Sequence, residues 1–194
     1  GGNVTGMAFN TAGTTAKRLE LLREIVPSIS RVGVLWEGGA DRQAALRSTE
    51  EAARTLQLET VTLEVRQKSD LPRALDLATS SGVDALLLLP ARIHVIELRN
   101  EIVAYAAGRR IPVAYPEVGS FAEAGGLVAF GESGVESFRR AAYFVDRILK
   151  GAKPAELPIE QPTKFELVIN LKTASALGVT IPQSVLSRAT KVIQ

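Results

Sequence analysis

The chain has 194 residues, 46% of them hydrophobic and 23% charged, with a formal net charge of +2. That balance supplies a real core, argues against disorder and gives no strong pull toward nucleic acid. There is no cysteine, which excludes disulfide scaffolds and thiolate metal sites and leaves the redox compartment open.

No apolar run is long enough to span a bilayer, and no signal segment is evident. The opening Gly1-Gly2-Asn3-Val4-Thr5-Gly6 reads as an internal loop. A fragment is therefore expected, and the missing signal says little about location. Residues 1–13, rich in Gly, Asn and Thr, are expected to be linker. Thr14 or Thr15 can cap a helix to about Val26, with Leu19, Leu22 and Val26 at helical spacing. Arg31–Trp36 is a short apolar strand. Glu37–Ala40 is a loop, and Asp41 is a good N-cap for a helix with Ala45, Leu46, Thr49, Ala53 and Leu56 on one face. Thr60–Val65 alternates and suits a wetter edge strand.

Ser69 or Asp70 caps the next helix, with Pro72 in its first turn and Gly82 near its end. Val83-Asp84-Ala85-Leu86-Leu87-Leu88-Leu89-Pro90 follows, and the rest of the chain is organised around it. An unbroken apolar run of this length suits a parallel strand covered by helices on both faces. Residues 93–108 form a helix with Val95, Leu98, Ile102 and Tyr105 as its buried stripe. Pro112–Pro116 is a strand. Ser120 and Glu123 have capping-box spacing before a short helix that stops at Gly125-Gly126. Leu127–Phe130 is a further strand. Ser133 and Glu136 make a second capping-box pair, opening a helix striped by Val135, Phe138, Ala142, Val145 and Leu149 and ended by Gly151. Beyond it, Pro154, Pro158 and Pro162 punctuate an extended segment. A strand is expected at Phe165–Ile169, then a short helix capped by Asn170 and ended by Gly178. The alternation implies an α/β fold, three-layered on a mainly parallel sheet, with ligands at the carboxyl ends of the strands.

Catalytic signatures are missing. There is no phosphate loop, no G-x-G-x-x-G after a strand and no nucleophile elbow. A single histidine, His94, cannot build a multi-histidine zinc site, and a solvated or capping role suits it. Ser133 reads as an N-cap before it reads as a nucleophile. At the carboxyl rim, Trp36 and Tyr115 can stack on a ligand or pack in the core. Arg92 can meet a ligand carboxylate or stand solvated. Glu37, Asp41 and Glu117 can take a ligand amine or serve as caps and surface charges. Arg139, Arg140 and Arg147 read as a wet helix face, with Glu136 placed to pair with Arg140. Asn3-Val4-Thr5 matches a glycosylation triplet, a pattern common by chance.

Several blocks together resemble one family. They are Gly1–Gly6, Lys17–Leu22, Arg31–Trp36, Glu123–Leu127, Ile148–Pro154, and Leu157–Pro182 with its core Gln161-Pro162-Thr163-Lys164-Phe165-Glu166-Leu167-Val168-Ile169-Asn170. They are similar to bacterial ABC-transporter substrate-binding proteins, over essentially the whole chain. The resemblance implies the type I periplasmic-binding-protein fold: two flavodoxin-like lobes, a hinge, and a solute in the cleft. Residues 1–13 would be the hinge entry and 14–132 the carboxyl-terminal lobe. Residues 133–152 would be a helix returning to an amino-terminal lobe absent from this chain. Residues 153–194 would be an extended segment, strand and terminal helix on the lobe.

The implied role is binding without chemistry, with no cofactor and no metal. The solute would be a small molecule such as an amino acid or aromatic compound. The implied partners are permease subunits, and the location is periplasmic or lipid-anchored outside the inner membrane. The cleft residues would be Trp36, Glu37, Ala91, Arg92, Tyr115 and Phe130. Ala91 stands where relatives often carry an acidic residue, and Phe130 where they often carry tyrosine. The stripe of the 133–152 helix would lack its usual cover, which favours self-association of the fragment. Two other classes remain open: a ligand-sensing regulatory lobe, and a sugar or nucleotide enzyme on a similar sheet.

Overall fold

A computed structural model describes residues 2–8, 11–91, 97–116 and 120–194. Seven strands form one sheet: β1 (Arg31–Trp36), β2 (Glu59–Glu64), β3 (Ala85–Leu88), β4 (Val113–Tyr115), β5 (Val128–Glu132), β6 (Phe165–Asn170) and β7 (Lys191–Ile193). Their order is β2-β1-β3-β4-β5-β6-β7. All neighbours pair parallel except β5 and β6, which run antiparallel with Val128 opposite Ile169 and Glu132 opposite Phe165.

Each residue of β3 is buried, as an apolar run without alternation requires of a strand covered on both faces. Gly33 of β1 lets its neighbours close up: a Cβ there would stand 2.7 Å from Leu86 Cδ2 and 2.8 Å from Leu63 Cδ1. β2 lies at the edge, where its half-wet threonines belong.

Two apolar clusters sandwich the sheet. One joins Val32, Val34, Trp36, Leu87 and Leu89 to α1 (Thr11–Ile25) and α2 (Gln43–Thr55) through Leu19, Leu22, Ile25, Leu46 and Ala53. It also takes Ala174 of α7 (Leu171–Leu177) and Val185 of α8 (Gln183–Leu186). The other joins Leu35, Leu86, Leu88, Val113 and Tyr115 to α3 (Leu71–Ser80), α4 (Arg99–Arg109) and α5 (Ser120–Glu123). The three-layer α/β reading therefore holds. α6 (Gly134–Leu149) stands apart. Phe144 is its only buried residue, while Val135 is 65%, Phe138 81%, Val145 55% and Leu149 82% exposed.

The chain's last turns follow the rules of helix ends. Asn170 Oδ1 accepts from Thr173 N at 3.1 Å, its Nδ2 donates to Ala122 O at 3.0 Å, and Gly178 closes α7 at φ 71°.

Several expectations need correction. α1 begins at Thr11, inside the stretch read as linker. Arg42, not Asp41, occupies the cap position of α2, because a tight turn over Ala40–Arg42 precedes that helix. The Asp70 carboxylate accepts from Arg66 N and Gln67 N, so it ties the turn before α3 rather than the helix itself. α4 starts at Arg99 with Leu98 before it, and Val95 of its expected stripe lies outside the described residues. The Ser133–Glu136 capping box does not form. Glu136 is drawn instead to Arg139 and to Lys164, and Arg140 pairs with Glu160 rather than Glu136. The C-terminal segment ends in β7, a strand that the reading of its last residues missed.

Candidate functional site

α1 runs against the parallel strands. Arg23 in its last turns reaches Ile29 O just ahead of β1, whereas Arg18 reaches Phe130 O near the carboxyl end of β5 at 3.4 Å. The N-terminal half of α1 therefore overhangs the rim where ligands sit in such sheets.

At that rim the structure divides the candidate residues. Trp36 (6% exposed) ends β1, Ala91 (8% exposed) lies just past β3 and Phe130 sits within β5, with Trp36 and Phe130 on the α1 side. Phe130 stacks on Phe165 at 5.9 Å between centroids, and the two border a groove of about 140 Å³ with Gly13, Thr14 and Lys17. Tyr115 faces the other way. It is 1% exposed, packs among α3–α5 residues and stacks on Phe121 at 4.4 Å. Burial pushes its phenol well above the usual tyrosine range. Glu37 is held by Arg42. Arg92, His94 and Glu117 lie outside the described residues, as do the side chains of Asp41 and Ser120.

Two rim residues escaped the sequence reading. Arg18 is 1% exposed, its Nη2 donating to Thr15 Oγ1 at 2.6 Å. Burial pushes its guanidinium down to about 10, and Glu132 pulls it partly back up. Glu132, the last residue of β5, is half-buried. The two attract without an ion-pair contact. Among the described residues, three buried side-chain polar atoms have no hydrogen-bond partner: Arg18 Nε, Trp36 Nε1 and Glu132 Oε1. All three belong to the rim on the α1 side. Buried polar groups are normally satisfied, so this concentration singles out the rim as the candidate site. The available signal was a spacing: Arg18 stands four residues before Leu22 and seven before Ile25, in line with the buried stripe of α1.

Beside this rim three connecting segments meet. Met7 bridges to Glu160 in parallel, Thr5 Oγ1 donates to Leu157 O at 3.1 Å, and Ser133 N donates to Lys164 O at 3.0 Å. Arg140 grips Glu160 through both Nε and Nη2 and lies 3.8 Å from the Tyr143 ring centroid. Among the described residues no group of His, Cys, Asp or Glu could hold a metal ion, and no helix is long and apolar enough to cross a membrane.

Comparison with known proteins supplies the context. Residues 1–193 match a family model described as ABC transporter substrate binding protein. An ABC domain from Streptococcus pneumoniae, solved in complex with L-Trp, is 27% identical with a TM-score of 0.87, covering 100% of this chain and 64% of that one. A conserved domain protein from Vibrio cholerae is 26% identical with a TM-score of 0.85, covering 98% of this chain and 63% of that one. A ligand-free, open substrate-binding protein from Clostridium difficile shares the fold at 19% identity and a TM-score of 0.66, covering 92% of this chain and 59% of that one. The chain thus spans less than two thirds of the structures it matches. No curated protein matches it.

Proposed function

Because the chain belongs to the ABC transporter substrate-binding protein family, we propose that it is the solute-binding component of a bacterial ABC importer. It binds a small molecule, an amino acid or aromatic compound, and performs no chemistry on it. The S. pneumoniae relative held L-Trp, which favours this ligand class. The observation that carries the reading is the set of three buried, unpartnered polar atoms on one face of the carboxyl rim. On this half the solute meets Trp36, Ala91, Arg92 and Phe130. Tyr115 packs on the opposite face of the sheet against Phe121, and Glu37 is tied to Arg42.

A second lobe completes the cleft in this reading. The chain covers less than two thirds of these relatives, and α6 carries an apolar stripe left exposed among the described residues. A solute touching both lobes only when they are closed shifts the population toward closure. The hinge is the meeting point of residues 5–8, 132–134 and 157–164. The closed form then delivers its cargo to permease subunits, outside the cytoplasmic membrane, in the periplasm or on a lipid anchor.

The test is native mass spectrometry of the full-length gene product, to identify a solute carried through purification, followed by X-ray scattering with and without it. The expected result is a bound small molecule and a more compact particle. Tight binding of that solute by the 194-residue chain alone would refute the two-lobed mechanism.

A further inference from the structure

The acidic groups near the hinge and rim are mostly matched. Glu37 has Arg42, Glu136 has Arg139 and Lys164, and Glu160 has Arg140. Two lack such a partner among the described residues, Glu166 and Glu132, and the shielded oxygen is on Glu132. Its carboxylate makes no hydrogen bond or ion pair among the described residues, although Oε1 is shielded. A half-buried carboxylate left in this state forfeits hydration without recovering it from the protein.

The Arg18 guanidinium reaches Phe130 O, two residues before Glu132 on the same strand, at 3.4 Å, so it attracts the carboxylate without touching it, and one of its own donors is likewise unused. The two differ in access. Arg18 is 1% exposed, whereas Glu132 is only half-buried, so the negative member is the more accessible of the two. An ionised carboxylate only accepts hydrogen bonds. Its complement is a group rich in N–H donors and positively charged, and such charge-assisted bonds are the strong ones.

We infer that Glu132 is a specificity-determining residue that takes a protonated amine of the solute, and that Arg18 is a positioning residue that orients it. The inference rests on the solute-binding reading and narrows it. Neutral sugars and solutes without a basic nitrogen are excluded as ligands, whereas amino acids and simple amines are admitted.

The test uses the full-length gene product and titration calorimetry. The probes are the standard L-amino acids, putrescine, phenethylamine and glucose, and each amine that binds is repeated as its N-acetyl derivative. Binding is expected from amines alone, and N-acetylation should abolish it. Glu132→Gln should weaken binding about 10- to 100-fold, with the ligand-free melting temperature unchanged or raised. Arg18→Met should shrink the preference for amine over N-acetyl derivative, and Arg18→Lys should restore part of it.

Equal binding of an N-acetyl derivative, binding of glucose, or wild-type affinity in Glu132→Gln would overturn the inference and leave the solute-binding reading standing. So would a lowered ligand-free melting temperature in Glu132→Gln with the amine preference intact, since that marks a structural role. If no probe binds and no solute copurifies, both fall.

Discussion

Arg18 offers the sharpest test of how the rim is built. Replacing it by methionine keeps an unbranched side chain under the rim and removes the charge. The fall of its pKa to about 10 corresponds to roughly 3 kcal/mol of disfavour for the charged form in the folded chain. At 1% exposure, solvent screening does little to reduce that figure. Against it stand the bonds to Thr15 Oγ1 and Phe130 O, the second already long at 3.4 Å, together about 1–2 kcal/mol. Arg18→Met should therefore gain about 1–2 kcal/mol, as apolar replacement of buried charge often does. At about 2–4 °C per kcal/mol for a chain of this size, the gain is visible in a melting curve.

The pH dependence of this gain has a definite sign. The folded chain holds the Arg18 proton less tightly than the unfolded chain, so the penalty is fully present near neutral pH. It fades only as pH rises through about 10, where the advantage of the methionine variant should narrow. Urea unfolding of both proteins near neutral pH and again in alkali measures it. A loss of more than about 1 kcal/mol in Arg18→Met would show that the guanidinium holds the rim together, and would refute the account of it as a strained, waiting group.

Asn170→Ala removes both the α7 cap and the bond to Ala122 O, and should cost about 2 kcal/mol in urea unfolding. Arg140 holds the Glu160 carboxyl below its usual range. Their tie is therefore intact above the ordinary carboxylate pKa and lost only as pH falls through the lowered folded value. Hydrogen exchange in α6 should accelerate at that acid end, and Glu160→Gln should show the faster rate at neutral pH too. Phe138→Ser should change the stability of the 194-residue chain by less than about 0.5 kcal/mol, because the ring is 81% exposed. In the full-length protein the same change should lower the melting temperature, and equal small effects in both would argue against a lobe covering α6.

Much of the architecture was legible because pattern and chemistry agreed locally. Arg31–Trp36 forms β1 at the expected boundaries, and Ala85–Leu88 of the apolar run lies in the sheet between β1 and β4. Asn170 caps its helix through its side chain, and Gly178 ends it because a residue without a Cβ tolerates the left-handed turn. The rim was harder. A buried parallel strand lacks polar alternation, so nothing in Val113-Ala114-Tyr115 or Val34-Leu35-Trp36 marks which face each side chain meets. Trp36 and Tyr115 therefore looked equivalent, yet they point into opposite clusters. Arg18 was hidden by residue type, since an arginine in a helix is usually wet, and only its register with Leu22 betrays it. The ion pairs of α6 were misassigned because the partners of Glu136 and Arg140 include Lys164 and Glu160, far along the chain and brought close only by the returning segment. β7 spans three residues, too few to show a period.

The antiparallel seam between β5 and β6 has its own implication. The chain leaves the sheet at Glu132 and re-enters at Phe165, its direct neighbour across the ladder. Everything between is an excursion with a narrow neck, stitched by Ser133 N to Lys164 O. Splicing Glu132 to Phe165 through a two-residue Asn-Gly turn would make those strands an ordinary hairpin and keep all seven in place. The sheet is thus a frame that carries residues 133–164 as an arm, one that evolution or an engineer can exchange without redrawing the strand order.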